Sequence, residues 1–442
     1  MVGIKVKVIE LVNIVKYTCL LITCLWATNS LAQTALLLTN ANVVDPSTQK
    51  IEHGHLLIEQ GRIVDKLANI PDNFKGQVVD AKGKWIIPGL NELHTHSFGN
   101  RGPGGAHNFV GTDGTAKLML KAGVTSLLDL FGNEDGLFNQ RELQQKGKIS
   151  GADILTSLSC LTATKGHCTE YGIKTRVMDS PKQAVDVVNV LALKSPDVIK
   201  IVYSQHGRLP SIDKATLTAA VDAANKHNIK TIIHISSIDD MRDAILAGAS
   251  ALTHIPDDKE IPASIAELMV EYNVVSIPTL TVDTDLADFI KSPEILATPL
   301  AIKLANEEIR ASYTLENLKW NSARLEELSA RSQHYYRSVK TLIDAGVTIL
   351  TGSDSGNYGT IQGYSVHREM IKLVQSGMST WQALAASTTE AGKFLGKSYG
   401  VNVGDEANLV MLNASPIDDI TNSQKIAMVI HHGKIVEGDF SE

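Results

Sequence analysis

A helix-then-strand phrase repeated through the middle of the chain predicts an α/β fold: a (β/α)8 TIM barrel with a small β-sandwich domain formed from both termini. Three observations carry this. Helix-like segments close on Gly or Asn and pass at once into a short apolar run. Each run then stops at a polar residue, and β-patterned text at one end of the chain is echoed at the other. The composition, 43% hydrophobic and 20% charged residues, argues against disorder. A length of 442 residues accommodates a large barrel with an appendage. There is no long basic block, which argues against nucleic acid as a partner.

The first residues read as an export signal. Lys5, Lys7 and Lys16 precede an apolar run from Tyr17 to Ala27, and Asn29-Ser30-Leu31-Ala32-Gln33 supplies a small-x-Ala ending. Cleavage is expected after Ala32, making residues 1–32 a signal peptide and the mature chain periplasmic or secreted. The apolar run is short for a bilayer span, so no stable membrane span is expected in the mature chain. Leu21-Ile22-Thr23-Cys24 resembles a lipoprotein box in which Thr23 fits poorly, leaving lipid anchoring as a lesser alternative. Without the signal, 38 basic residues face 47 acidic ones, a net charge of −9. Cys19 and Cys24 leave with the signal. Cys160 and Cys168 remain, a pair compatible with a disulfide in an oxidising compartment.

After the signal the text turns β-like. Leu36-Leu37-Leu38 runs toward a turn at Asp45-Pro46, and His55-Leu56-Leu57-Ile58-Glu59 meets Gln60-Gly61 before Arg62-Ile63-Val64 returns. At the far end, Leu409-Val410-Met411-Leu412 is followed by Met428-Val429-Ile430, then His432-Gly433 and Lys434-Ile435-Val436. Segments 33–86 and 405–442 are therefore assigned to one composite β-sandwich, and 87–404 to the barrel.

The barrel strands follow in order. Trp85–Ile87 is read as the first. Lys121-Ala122-Gly123 opens Val124–Asp129, followed by Asp153–Leu158 and Asp197–Val202. Asn228 opens Ile229–His234, Gly248 opens Ala249–His254, Asn273 opens Val274–Thr279 and Gly346 opens Val347–Asp354. Of the helix starts, Ser180-Pro181 caps Ala184–Leu191, and Ser211 precedes the Ala-rich Ala215–Ala224. A long polar, helix-like excursion from Thr281 to about Tyr336 separates the seventh and eighth strands. It reads either as a cover over the barrel mouth or as a solvated helical hairpin.

The polar ends of these strands carry the chemistry. His94 and His96, two apart on an extended segment, face the same way and can share one divalent metal such as zinc. Later strand ends add Lys200, His234, His254 and Asp354. Each alone has a plain structural explanation: a core histidine, a salt-bridged lysine, a helix-capping aspartate. Together at one barrel mouth they are hard to explain as packing.

These residues bring the chain to a family. Ile87-Pro88-Gly89-Leu90 with His94-Thr95-His96, Val198-Ile199-Lys200-Ile201, Ile233-His234, Leu252-Thr253-His254 and Thr351-Gly352-Ser353-Asp354 resemble the amidohydrolase superfamily. The likeness is strongest to its imidazolonepropionase-like and Xaa-Pro dipeptidase (prolidase)-like branch. Gly400 to Leu409 resembles that family's closing motif, with Asn408 where Asp is usual. The resemblance implies His94, His96 and Asp354 around a buried metal and His234 and His254 around a second. It also implies Lys200, N6-carboxylated by CO2, as the bridge, because an ammonium has no lone pair to give. Two divalent ions, zinc foremost, would activate a water for attack on an amide carbonyl, with Asp354 shuttling the proton. Leu161 to Cys168 resembles the family's glycine-rich loop, with Lys165 and Cys168 where Gly is common. It makes His167 a substrate-binding candidate beside Tyr203, His206 and Tyr358; Ser355 and His367 are further candidates.

The expectation is an exported binuclear amidohydrolase acting on a small molecule or dipeptide, Xaa-Pro or N-acyl amino acid, with homo-oligomerisation open. A mononuclear cyclic-amide hydrolase or deaminase, or an ester, lactone or phosphotriester hydrolase, uses the same site. A periplasmic binding protein would not need six metal-competent residues at strand ends, and a zinc-storage protein would show a His-rich tract that is missing here.

Overall fold

The computed structural model describes residues 35–438. The expected signal peptide, with Cys19 and Cys24, lies outside the described residues.

Both ends of the chain build one eight-stranded sheet. The N-terminal part supplies β1 (Leu36–Asp45), β2 (Lys50–Glu59), β3 (Arg62–Leu67), β4 (Gln77–Asp80) and β5 (Trp85–Pro88). The strands between this sheet and the C-terminal part are β6 (Leu90–Thr95), β7 (Gly99–Arg101), β8 (His107–Phe109), β9 (Val124–Asp129), β10 (Asp153–Thr156), β11 (Cys160–Thr162), β12 (Arg176–Val177), β13 (Ile199–Val202), β14 (Thr231–His234), β15 (Ala251–Thr253) and β16 (Val275–Ile277). The last strands are β17 (Leu409–Leu412), β18 (Ile426–His431) and β19 (Lys434–Gly438). The terminal sheet runs β3-β2-β1-β5-β17-β18-β19, with β4 on β1. Its hinge is the antiparallel pair β5–β17, where Ile87 faces Val410 and Ile86 faces Met411. Leu38, Ile58, Ile63, Ile86, Leu409 and Ile430 pack together under it.

Trp85–Ile87 therefore belongs to the terminal sheet, not to the first barrel strand as expected. An apolar run fully buried on both faces reads alike in either place. Pro88-Gly89 separates it from β6, which carries His94 and leads directly into His96. A side chain at Gly89 would collide with Thr125 on β9, so the break is also a close strand approach.

The middle of the chain forms mixed α/β structure with parallel sheets. One has the order β10-β9-β6 and another the order β12-β11-β13-β14-β15-β16. The segment after Gly346 joins them by single contacts, with Ser276 bridging Ile349 and the Leu93 amide donating to the Thr351 carbonyl. The helix closures follow the sequence. Gly123, Asn228, Gly248, Asn273 and Gly346 all adopt positive φ, the conformation that turns a finished helix into the next strand. Ser180 caps Pro181–Ala192 as expected. The Ala-rich helix Lys214–Lys226 is instead capped by Asp213, which accepts from the Thr216 amide. Ser211 accepts from the Ser204 amide.

The excursion is helical, running from Leu280–Lys291 through shorter turns to Ser322–Ala345. Only its start, at Val282 and Asp283, reaches the central cavity. Among the described residues, no helix is long and apolar enough to cross a membrane.

Candidate metal centre and active site

The parallel strands end around a cavity of about 860 Å³, lined by His94, His96, Lys200, His234, His254 and Asp354. All six candidates from the strand ends thus meet in one place. Their aim is set by the backbone. His94 on β6 and His96, one residue past the end of that strand, share a face. His254 and Asp354 both sit in the left-handed region, at φ 75° and 54°. Such strained positions turn the chain sharply where a strand stops. Gly352 lets the Asp354 segment approach β6: a Cβ there would fall 2.9 Å from His94 Cβ and 2.5 Å from Ile277.

The ligand atoms of His94, His96 and Asp354 lie within 4.8 Å of one another. Asp354 Oδ1 is 3.3 Å from His94 Nε2 and 2.9 Å from His96 Nε2, and it is buried without a well-formed hydrogen bond. A buried carboxylate oxygen pointed at two imidazole nitrogens matches a cation's coordination sphere. Lys200, only 3% exposed, holds Nζ 3.4 Å from His94 Nε2. The His254 ring lies 5.1 Å from that of His94 and 4.4 Å from that of His234. The residues present therefore fit a divalent metal.

The rings are held from behind. His94 Nδ1 lies 2.6 Å from Thr253 Oγ1, and His254 Nδ1 lies 2.7 Å from Thr279 Oγ1. His96 Nδ1 is 3.2 Å from the Phe131 carbonyl, which can only accept. With Nδ1 engaged, each Nε2 is left to the cavity. Glu92, on the same face of β6, accepts from the backbone amides of His94 and Ser353 at 2.9 and 2.8 Å and from the Ser353 hydroxyl. Burial pushes its carboxyl up to about 8. Sequence reasoning missed Glu92, Thr253 and Thr279; the only signal was the hydroxyl or acid at strand ends beside the histidines.

Electrostatics favour the neutral imidazole at His94, His234 and His254. Burial, then the Lys200 charge, holds His94 well below the ordinary imidazole range. Burial and His254 do the same for His234, and His254 is brought down to about 3, chiefly by burial. Burial opposes charge on His96, but the Asp354 carboxylate outweighs it and raises that group. Burial works against the Asp354 anion too, yet the neighbouring His94 and His96 hold it well below the usual carboxylate range. Lys200 is lowered by burial to about 7, so its neutral amine is accessible near neutral pH.

Of the four substrate-binding candidates, two reach the cavity. His167 lines it, with its ring 5.0 Å from that of His234 and Nδ1 2.6 Å from Glu170 Oε1. Cys168 beside it is disulfide-bonded to Cys160. Tyr358 lines the mouth, 43% exposed, with the Arg101 guanidinium 5.0 Å from its ring centre. Tyr203 turns away and donates to Asp243 at 2.8 Å, and His206 is exposed outside the cavity lining. Ser355 is buried against Ser353. His367 is a packing histidine between Ser423 and the Ala122 carbonyl.

Parallel strands that gather histidines, a buried lysine and a carboxylate at one end define a metal-dependent hydrolase scaffold. The chain belongs to the amidohydrolase family, whose profile matches residues 85–436. Its fold is shared with a Xaa-Pro dipeptidase solved with bound methionine (TM-score 0.74, 19% identity, covering 92% of this chain and 100% of that one). It is also shared with a putative prolidase from Bifidobacterium longum (TM-score 0.72, 22% identity, 92% and 95% covered). The 5-methylthioadenosine/S-adenosylhomocysteine deaminase of Bacillus cereus (strain B4264) is 39% identical over 61 residues, 13% of this chain and 14% of that protein's length.

Proposed function

We propose that the chain is an exported two-metal hydrolase of amide bonds, acting on a dipeptide, Xaa-Pro or N-acyl amino acid. The observation that carries this reading is the buried Asp354 Oδ1, poised between His94 Nε2 and His96 Nε2 with Lys200 alongside. The two parallel sheets are read as arcs of one (β/α)8 barrel spanning 87–404, and the terminal sheet as the β-sandwich of 33–86 and 405–442. His94, His96 and Asp354 would hold one ion, His234 and His254 another, with Lys200 bridging as its carbamate. The neutral Lys200 amine adds to CO2, forming an N–C bond and releasing one proton, which yields the anionic two-oxygen ligand.

Bound zinc or a similar ion supplies Lewis acidity and lowers the pKa of water. The chain's own groups do the rest. Asp354 takes the proton of the attacking water on a carboxylate oxygen and delivers it to the leaving nitrogen. Thr253 and Thr279 keep the imidazoles aligned. His167 and Tyr358 contact the substrate, and Arg101 at the mouth pairs with its carboxylate. Arg101 is in no salt bridge among the described residues, which leaves its charge for a ligand. The signal-like residues 1–32 and the Cys160–Cys168 disulfide both support export to an oxidising compartment.

The test is metal per chain after purification with zinc and bicarbonate, with Lys200→Ala beside the parent. Two ions falling in the variant support the bridged site. One ion, unchanged by the substitution, replaces this reading with the single-metal deaminase or cyclic-amide hydrolase, which the deaminase match favours.

A further inference from the structure

At the opposite end of the strands from the cavity, the turn between β18 and β19 carries His431 and His432. Successive residues of a strand point to opposite faces, so adjacent histidines do not normally converge. Here His432 adopts φ 49° and Gly433 φ 71°, the geometry of a tight hairpin turn with both central residues left-handed. The turn folds one ring back onto the other, with centres 4.0 Å apart. Both then face Asp153, the first residue of β10. His431 Nε2 is 3.3 Å and His432 Nε2 2.9 Å from the same Asp153 Oδ1.

That arrangement repeats the one at Asp354, where the two imidazole nitrogens also lie 3.3 and 2.9 Å from a single carboxylate oxygen. The three ligand atoms of Asp153, His431 and His432 fall within 4.8 Å of one another. His431 is only 8% exposed, and its Nε2 is buried without a well-formed hydrogen bond among the described residues. A buried imidazole nitrogen aimed at a carboxylate and left without a proper partner needs an explanation. Beside it, a cavity of about 280 Å³ borders His432 and Glu406.

We propose that Asp153, His431 and His432 form a second, structural transition-metal site that clamps the C-terminal hairpin to the start of β10. Two imidazoles and one carboxylate suit Zn²⁺ or its neighbours rather than Mg²⁺ or Ca²⁺, which prefer all-oxygen shells. Tetrahedral zinc at about 2.0–2.1 Å from each ligand sets ligand atoms roughly 3.3 Å apart. One existing contact already has that spacing and the other needs to open by a few tenths of an ångström. The adjoining cavity leaves room for a water as fourth ligand. The clamp joins two parts of the chain more than 270 residues apart in sequence and lies outside the catalytic cavity.

The experiment is zinc titration of the metal-stripped full chain, counting equivalents bound per folded molecule. Parent and His432→Ala are compared, each also in an Asp354→Ala background that weakens the catalytic site independently. The proposal expects His432→Ala to bind one equivalent fewer in both backgrounds. It also expects zinc to raise the Tm of Asp354→Ala more than that of the double variant. His432 is at the surface; should its variant still misfold, His431→Asn gives the same comparison. Equal counts and equal zinc-induced shifts in folded parent and variant overturn the proposal and leave an ordinary Asp–His ion pair. Loss of zinc only through Asp354→Ala would speak to the catalytic site alone.

Discussion

Thr253 stands behind His94: its Oγ1 lies 2.6 Å from His94 Nδ1 across the strands, and the other ring nitrogen faces Asp354. The hydroxyl is buried on β15, so it has no solvent role to explain it. Thr253→Val keeps the shape and removes the contact. Metal affinity is expected to drop about 10- to 100-fold, the usual cost of losing such an outer partner, while Tm of the metal-stripped protein changes little. Competition with a chelator of known affinity measures it, and unchanged affinity would refute the positioning role.

Asp354→Asn tests the proton path when metal per chain is measured beside turnover, because Asp354 is also a proposed metal ligand. The amide retains the shape but cannot accept and return a proton. Turnover of a cleavable amide is expected to fall at least about 10²- to 10⁴-fold, with far-ultraviolet circular dichroism unchanged. A near-parental kcat would remove Asp354 from the proton path.

The strand-end residues were legible because each is a polar stop after an apolar run, a local pattern. Their supports were not. Ser353 reaches Glu92 from 261 positions away, and Thr253 reaches His94 from 159; no window of sequence contains both partners. The placement of Trp85–Ile87 failed for a related reason, since pairing with Leu412 and Val410 is decided by the far end of the chain. Tyr203 follows Lys200 by three residues, just past the end of β13, where its phenol is taken by Asp243. The convergence of His431 and His432 on Asp153 is equally invisible in a local window, since Asp153 lies more than 270 positions away and a left-handed turn brings the two rings together.

Arg101 bears on substrate class. Its cation lies at the mouth over Tyr358, apart from the metal-facing residues. Arg101→Met is expected to raise KM for carboxylate-bearing dipeptides or N-acyl amino acids by about tenfold or more, as loss of a charge-assisted hydrogen bond would, with kcat far less affected. The corresponding amidated substrates should show no difference between parent and variant. An equal effect on both would refute carboxylate recognition by Arg101.

Gly352 is expected to admit no side chain. A Cβ there would meet Ile277 Cγ2 at 2.5 Å and the His94 backbone nitrogen at 3.0 Å, and neither neighbour is a flexible side-chain end. Gly352→Ala should cost about 1–3 kcal/mol, the range for overpacking a core, and should displace His94. Urea unfolding together with metal content reads both effects; parental values for each would mean the strands can separate without harm.

His367 gives the fold an acid sensitivity independent of the active site. It is fully buried, with Nδ1 2.9 Å from Ser423 Oγ and Nε2 2.9 Å from the Ala122 carbonyl. A carbonyl only accepts, so Nε2 carries the proton and Nδ1 accepts from the serine. Burial holds the group down at about 4, against 6.5 for an ordinary imidazole. Between those values the unfolded chain binds a proton that the folded chain refuses, so stability rises with pH across this window. The contribution is complete above about pH 6.5 and is lost as pH falls toward 4, with a ceiling of roughly 3 kcal/mol at 1.36 kcal/mol per pKa unit. His367→Gln should be less stable at pH 7.5 through lost packing and hydrogen bonds, yet lose less on acidification. Because the active-site histidines titrate in both proteins, the difference between parent and variant urea midpoints at pH 7.5 and pH 4.5 isolates His367. A gap of the same size at both pH values would show that this ring does not supply the acid sensitivity.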